Sequence, residues 1–102
     1  MWSMHGVALS DETRQRLNAT FPVEVREEAE ALLVEECGAN LPFQQNASSD
    51  DLERIRFAAL KLSRGTIDGL RDAVQEAQDD WRDLLVAADF AEDIHAHRKW
   101  TP

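Results

Sequence analysis

The residues whose types could do chemistry lie in two short stretches in the second half of this 102-residue chain. His95 and His97, which follow the acids Glu92 and Asp93, are the only cluster of metal-ligand types. Side chains on a helix share a face when they are three or four residues apart, and the acids and histidines form two such pairs. Each pair supplies two ligands where a zinc site takes about four, so His5 or a second chain would have to contribute. We therefore expect no metal, and favour histidines placed near a helix C-terminus, where positive charge is stabilising.

The densest polar cluster is formed by four consecutive residues, Asp80, Trp81, Arg82 and Asp83. Arg82 could bind a carboxylate or a phosphate while the two acids orient it. Alternatively, Asp80 caps a helix, Asp83 closes a capping box, and Trp81 belongs to the core. We favour the structural interpretation, because two carboxylates on one helix turn form an acid–base pair only if their environments separate their pKa values.

The sequence contains none of the common catalytic motifs: no Gly-rich phosphate loop, no Ser-His-Asp set and no His-Glu-x-x-His helix. Cys37, the only cysteine, ends an apolar series at helical spacing, which favours a small buried hydrophobe over a nucleophile. One cysteine allows no internal disulfide and favours a cytoplasmic location. We expect neither enzymatic activity nor a cofactor.

The formal net charge is −9, a sign that repels phosphate backbones and argues against nucleic-acid binding. A protein partner would therefore present a basic or apolar surface, although solubility alone would explain the charge. No apolar run approaches the ~20 residues of a membrane span, and the first residues lack the features of a signal peptide. We expect no contact with a membrane.

The helical spacing of apolar residues predicts one all-α domain over residues 1–102, with 1–8 as a flexible start. Ser10 caps a short first helix that breaks at 18–22, and a second, acidic helix runs from Pro22 to a cap at Gly38. A loop follows to residue 48. Ser49 caps a third helix whose apolar residues occupy two sides, which makes it the central element. Its basic stripe (Arg54, Arg56, Lys61 and Arg64) predicts that it lies beside the acidic second helix.

Gly65 ends the third helix and Thr66 caps a fourth, in which apolar spacing continues to Ala88. We expect a kink or a new start near Asp79 and Asp80. Gly69 lies inside this helix, where glycine costs about 1 kcal/mol relative to alanine, and marks either a close helix crossing or neutral drift. A short helix over 92–99 closes the chain. The expected fold is a small irregular or orthogonal bundle of four to six helices.

Two segments carry a resemblance: Arg54–Gly65 contains the pattern A-x-L-K-L-x-x-G, and Ala77–Leu85 contains aspartate, an aromatic residue, Arg, Asp and two leucines. Together they resemble a group of small bacterial helical proteins that form a domain of unknown function. The resemblance covers roughly residues 50–88. It implies an all-helical fold and a bacterial origin, and it implies no activity.

These features favour a non-enzymatic protein–protein interaction or regulatory module. Self-association as a homodimer is a special case, because one small core could leave four large residues uncovered: Phe57, Leu60, Trp81 and Trp100. One alternative is an acidic neutraliser, such as an immunity protein or antitoxin that covers a basic toxin site. The other is a metal- or small-ligand-binding protein that uses His95 and His97.

Overall fold

Four α-helices and one short 3-10 helix, with no strand, make up the part of the chain that the computed structural model describes, residues 9–37, 49–93 and 95–102. The elements are α1 (Asp11–Thr20), α2 (Val23–Glu36), α3 (Ser49–Ser63), α4 (Ile67–Ala87) and a 3-10 helix (Ala96–Lys99). The predicted all-α bundle is therefore confirmed. The predictions for residues 1–8, for Gly38 and for the following loop fall outside the described residues. None of the described helices has both the length and the apolar character of a membrane span.

Helix α3 is the central element, as predicted, and packs against α1, α4 and the 3-10 helix. Two sides of it are buried because apolar residues occupy both, and each large apolar side chain contributes about 1.5–3 kcal/mol. Its buried apolar residues are Leu52, Ile55, Phe57, Ala58, Ala59 and Leu60. Phe57 and Leu60 are at most 1% exposed and so give no reason to expect a homodimer, whereas Trp81 and Trp100 pack partly buried against the same core.

The helix ends follow local signals in the sequence. Ser10 Oγ accepts a hydrogen bond from the backbone N–H of Thr13, 3.1 Å away, at the start of α1. Thr66 Oγ1 does the same for Gly69 at the start of α4, at 3.0 Å. Between α3 and α4 the chain reverses through Arg64 and Gly65, both at positive φ (55° and 82°). At Asp80 the backbone leaves helical geometry (φ −158°, ψ 89°), which confirms the predicted kink.

The expected pairing of α2 with α3 is wrong. Helix α2 lies against α4 and α1, and its ion pairs join Glu28 to Arg71 of α4 (2.8 Å) and Glu30 to Arg14 of α1 (2.6 Å). Basic side chains of α3 bind backbone carbonyls instead of α2 carboxylates, because the last turn of a helix leaves carbonyl groups without partners. Lys61 Nζ donates to the carbonyl of Ala88 (2.8 Å) at the end of α4.

The end of the chain also differs from its prediction. Asp89 takes a left-handed conformation (φ 67°) directly after α4, and only Ala96–Lys99 forms a helix, of the 3-10 type. Arg54 of α3 donates to the carbonyls of Phe90 (2.6 Å) and Ala91 (3.1 Å). These bonds hold an irregular connection where the sequence predicts a helix from residue 92.

Gly69 lies at a close approach between the beginning of α4 and the end of α3. A Cβ atom at this position would overlap the carbonyl oxygen of Ser63 and would come within 2.8 Å of Thr66 Oγ1. Because the first of these atoms belongs to the backbone of the turn, it cannot move away as a flexible side chain would. Of the two interpretations of Gly69, close approach is therefore the correct one.

Replacing Gly69 with alanine should lower the free energy of unfolding by about 1–2 kcal/mol, because the steric cost exceeds the gain in helix propensity. Equilibrium denaturation with urea would measure the change. Glu76→Ala, at an exposed position of the same helix, is the matched control and should shift stability by less than ~0.5 kcal/mol. A Gly69→Ala protein more stable than the parent would contradict the steric explanation.

Candidate functional site

The two histidines of the C-terminal segment, His95 and His97, lie in different environments. His95 is exposed, whereas His97 is fully buried (0% exposed). The ring of His97 lies edge-on to Phe57, with 5.1 Å between ring centroids, and 6.3 Å from Phe90. No group of three or more metal-ligating side chains occurs among the described residues. His97 lies in the last turn of the 3-10 helix, near a helix end as predicted, but its ring is buried against Phe57 and Phe90.

Burial lowers the pKa of His97, and the hydrogen bond to Glu53, which acts to raise it, offsets this only in part. Nε2 of His97 lies 3.3 Å from Oε1 of Glu53, and Nδ1 has no hydrogen-bond partner. A neutral imidazole whose Nε2–H donates to the carboxylate accounts for both observations.

Glu53 joins His97 to a hydroxyl, since Ser10 Oγ donates to Glu53 Oε2 at 2.9 Å. The carboxylate thus lies between the serine and the histidine. This order differs from the Ser-His-Asp arrangement, in which the imidazole lies next to the hydroxyl and the carboxylate behind it. The three side chains join the start of α1, helix α3 and the C-terminal segment.

The polar cluster at Asp80 is a helix start. Asp80 Oδ1 accepts hydrogen bonds from the backbone N–H groups of Arg82 (3.1 Å) and Asp83 (3.3 Å). The Arg82 guanidinium lies 5.2 Å from the centroid of the Trp81 ring, and that ring packs against the core. These contacts support the structural interpretation of the four residues.

Cys37 also has a structural environment. Its side chain is fully buried (0% exposed), and burial raises the pKa of the thiol to about 12. Nucleophilic attack needs the thiolate, which is therefore scarce at neutral pH.

A groove of about 370 Å³ lies between α2 and α4. We call its apolar lining residues, Ala31, Leu32 and Val74, the floor. The polar lining residues, called the rim, are three glutamates, two glutamines and one arginine. The lining residues of α2 are Glu28, Ala31, Leu32, Glu35 and Glu36, and those of α4 are Arg71, Val74, Gln75 and Gln78. Within each set, single residues or adjacent pairs recur every three or four positions, so one continuous face of each helix borders the groove.

Two contacts cross the groove near its ends. Arg71 Nη2 donates to Glu28 Oε2 at 2.8 Å, and Gln78 Nε2 donates to the carbonyl of Glu36 at 2.7 Å. The lower-numbered residues of the two helices meet at one end and the higher-numbered residues at the other, so α2 and α4 run parallel. The exposed Glu35 makes no ion pair with a described residue.

A second pocket, of about 350 Å³, is lined by Glu12, Arg16, Glu53, Phe57 and Arg98. The Arg16 guanidinium lies 4.3 Å from the Phe57 ring centroid. Its Nε donates to the Trp100 carbonyl (3.0 Å), and its two terminal nitrogens donate to the carbonyls of Glu12 and Arg98 (both 3.2 Å). The arginine thus fastens the C-terminal segment, which leaves the α2–α4 groove as the better candidate site.

Sequence reasoning missed the groove, and it also missed Glu53. The spacing of Glu28, Leu32 and Glu35 along α2 is visible in the sequence. The pattern does not show that this acidic-and-apolar face borders α4. No family model, curated protein or solved structure matches the chain.

The buried His97 should make the fold less stable in mild acid. The pKa of His97 is lowered in the folded state. Its contribution to the free energy of unfolding is therefore complete above the ordinary pKa of about 6.5 and is lost as the pH falls below that value, because the unfolded chain binds a proton first. The loss is at most ~1.4 kcal/mol per pH unit. Urea denaturation between neutral pH and about pH 5 would measure this. His97→Gln should flatten the profile, whereas His95→Gln, at an exposed site, should leave it unchanged. Equal profiles for the parent and His97→Gln would contradict this assignment.

Replacement of Asp80 separates a capping role from a charge role. Asp80→Ala should lower the free energy of unfolding by about 1 kcal/mol, because two N–H groups lose their acceptor. Asp80→Asn keeps an acceptor oxygen and should be close to the parent. Thermal denaturation of the two variants would distinguish the two roles. If the Asp80→Asn protein is as unstable as the Asp80→Ala protein, the charge of Asp80 and not its capping hydrogen bonds stabilises the helix start.

Proposed function

We propose that this protein is a non-enzymatic interaction module that binds a basic protein partner through the acidic face of α2. The observation that carries the proposal is the separation of charge in the fold. The α2 glutamates Glu24, Glu27, Glu28, Glu35 and Glu36 are exposed, whereas arginines and a lysine of α1, α2 and α3 turn towards backbone carbonyls.

Arg26 shows this use of cations within α2 itself. Its guanidinium donates to the carbonyls of Phe21 (2.9 Å) and Asn18 (2.8 Å), at the end of α1. Arg56 Nε likewise donates to the carbonyl of Cys37 at 2.9 Å, with the side chain buried. A carbonyl partner brings no full negative charge. Glu28 and Glu30 of α2 pair with Arg71 and Arg14, whereas Glu24, Glu27 and Glu35 make no ion pair with a described residue and keep their charge for solvent or for a partner. An exposed field of one sign accelerates and selects association with a surface of the opposite sign.

The more specific form of this proposal is a neutraliser, of the immunity-protein or antitoxin kind, that covers a basic site on its partner. The net charge of −9 and the acidic groove support it. A bacterial cytoplasmic setting is proposed with it, from the resemblance over residues 50–88 and from a buried thiol suited to a reducing compartment.

Capture of partners from a lysate of the native host, at low and at high salt, would test the proposal. The parent should retain a basic protein that high salt releases. Glu24→Gln with Glu35→Gln should weaken that binding roughly 5-fold, because each exposed charge pair contributes about 0.5 kcal/mol.

The matched control removes two acids from α4 that do not line the groove, Asp72→Asn with Glu76→Gln. It removes the same number of negative charges and should retain most of the affinity. A partner held equally well by all three proteins, or one insensitive to salt, would contradict the proposal.

A further inference from the structure

We infer that the α2–α4 groove is the docking site of a cationic amphipathic helix presented by the partner. This inference rests on the proposed function and specifies its contact surface. Both walls of the groove are helix faces, and the groove residues of α2 run from Glu28 to Glu36. At about 1.5 Å per residue this is a length of about 12 Å. Helix-in-groove recognition uses apolar side chains at intervals of three or four residues, and two such side chains lie about 6 Å apart.

The floor of the groove can receive those side chains. Ala31 is exposed and Leu32 is partly exposed, while Val74 continues the apolar surface into the core (3% exposed). Burial of this open apolar surface would favour binding of an aliphatic side chain.

The charges around the floor determine the sign of charge that a partner must carry. The one arginine of the lining, Arg71, is already paired with Glu28 (2.8 Å) and lies 3.5 Å from Asp68. Glu35 and Glu36 remain as the acidic rim. A lysine- or arginine-bearing helix therefore complements the groove, and an anionic ligand does not.

A further observation concerns the helix dipole. Glu35 and Glu36 occupy the last turn of α2, and that turn contains no basic residue. Negative side chains are unfavourable there, because the C-terminal end of a helix carries partial negative charge. The free protein thus keeps an unfavourable arrangement that a cationic partner would relieve.

The test uses the full chain, labelled with ¹⁵N, and a synthetic leucine–lysine peptide with leucines at i, i+3, i+4 and i+7. Saturable shifts should appear at Leu32, Val74, Gln75 and Gln78. The same peptide with glutamate in place of lysine should not bind. Shifts spread over the whole surface, or the absence of binding, would overturn the inference.

Variants sharpen the test. Ala31→Arg should reduce peptide affinity at least tenfold by filling the groove, and Ala87→Arg, at an exposed site outside it, adds the same charge and should reduce it much less. Glu35→Lys should raise the denaturation midpoint of the free protein while it weakens binding, a combination that loss of structure cannot produce. Equal peptide affinities of the Ala31→Arg and Ala87→Arg proteins would overturn the inference.

The same variants separate this inference from the proposed function. If the Ala31→Arg protein still captures the host partner fully, the groove is not the docking site, while the proposal of an acidic interaction module is retained. If the peptide binds in the groove but no salt-sensitive host partner is captured, the proposed function is contradicted and the groove remains a binding site for cationic helices. Shifts of Leu32 and Val74 that depend on protein concentration alone, without peptide, would identify a second copy of this chain as the occupant and would also overturn the inference.

Discussion

Burial of α3 is the constraint on which the other elements depend. Its apolar residues occupy two sides, so α1, α4 and the C-terminal segment each cover part of it. The polar groups at its edges then join these elements: Glu53 contacts both Ser10 and His97, and Lys61 binds the end of α4. Because α1, α4 and the C-terminal segment cover α3, α2 packs against α4 and α1 instead. The acidic groove is thus a consequence of how the centre of the bundle is filled.

The backbone carbonyls at the ends of α1 and α4 explain why counting charges gives the wrong helix neighbours. A carbonyl at a helix end needs a donor, and a nearby long basic side chain supplies one while its aliphatic stem remains on apolar surface. Arg26, Arg54 and Lys61 all do this. Opposite net charges on two helices are weak evidence for contact between them, because exposed ion pairs contribute little and helix ends compete for the same cations.

What could be predicted from the sequence is local. The caps at Ser10 and Thr66, the turn at Gly65 and the kink at Asp80 depend on residues within a few positions of one another, and the structure agrees with each. The position of His97 depends instead on Phe57 and Glu53, which are distant in the chain, and spacing near His95 contains no information about them. The groove escaped prediction for the same reason: its two walls are more than 30 residues apart in sequence.

The environment of Cys37 has a consequence for how the molecule opens. A thiol that is fully buried and has its pKa raised to about 12 is protected from oxidants and alkylating reagents while the end of α2 stays in place. Reaction with such a reagent at neutral pH then requires transient exposure. The rate at which Cys37 is modified therefore measures how often the end of α2, beside the groove, opens locally from the core.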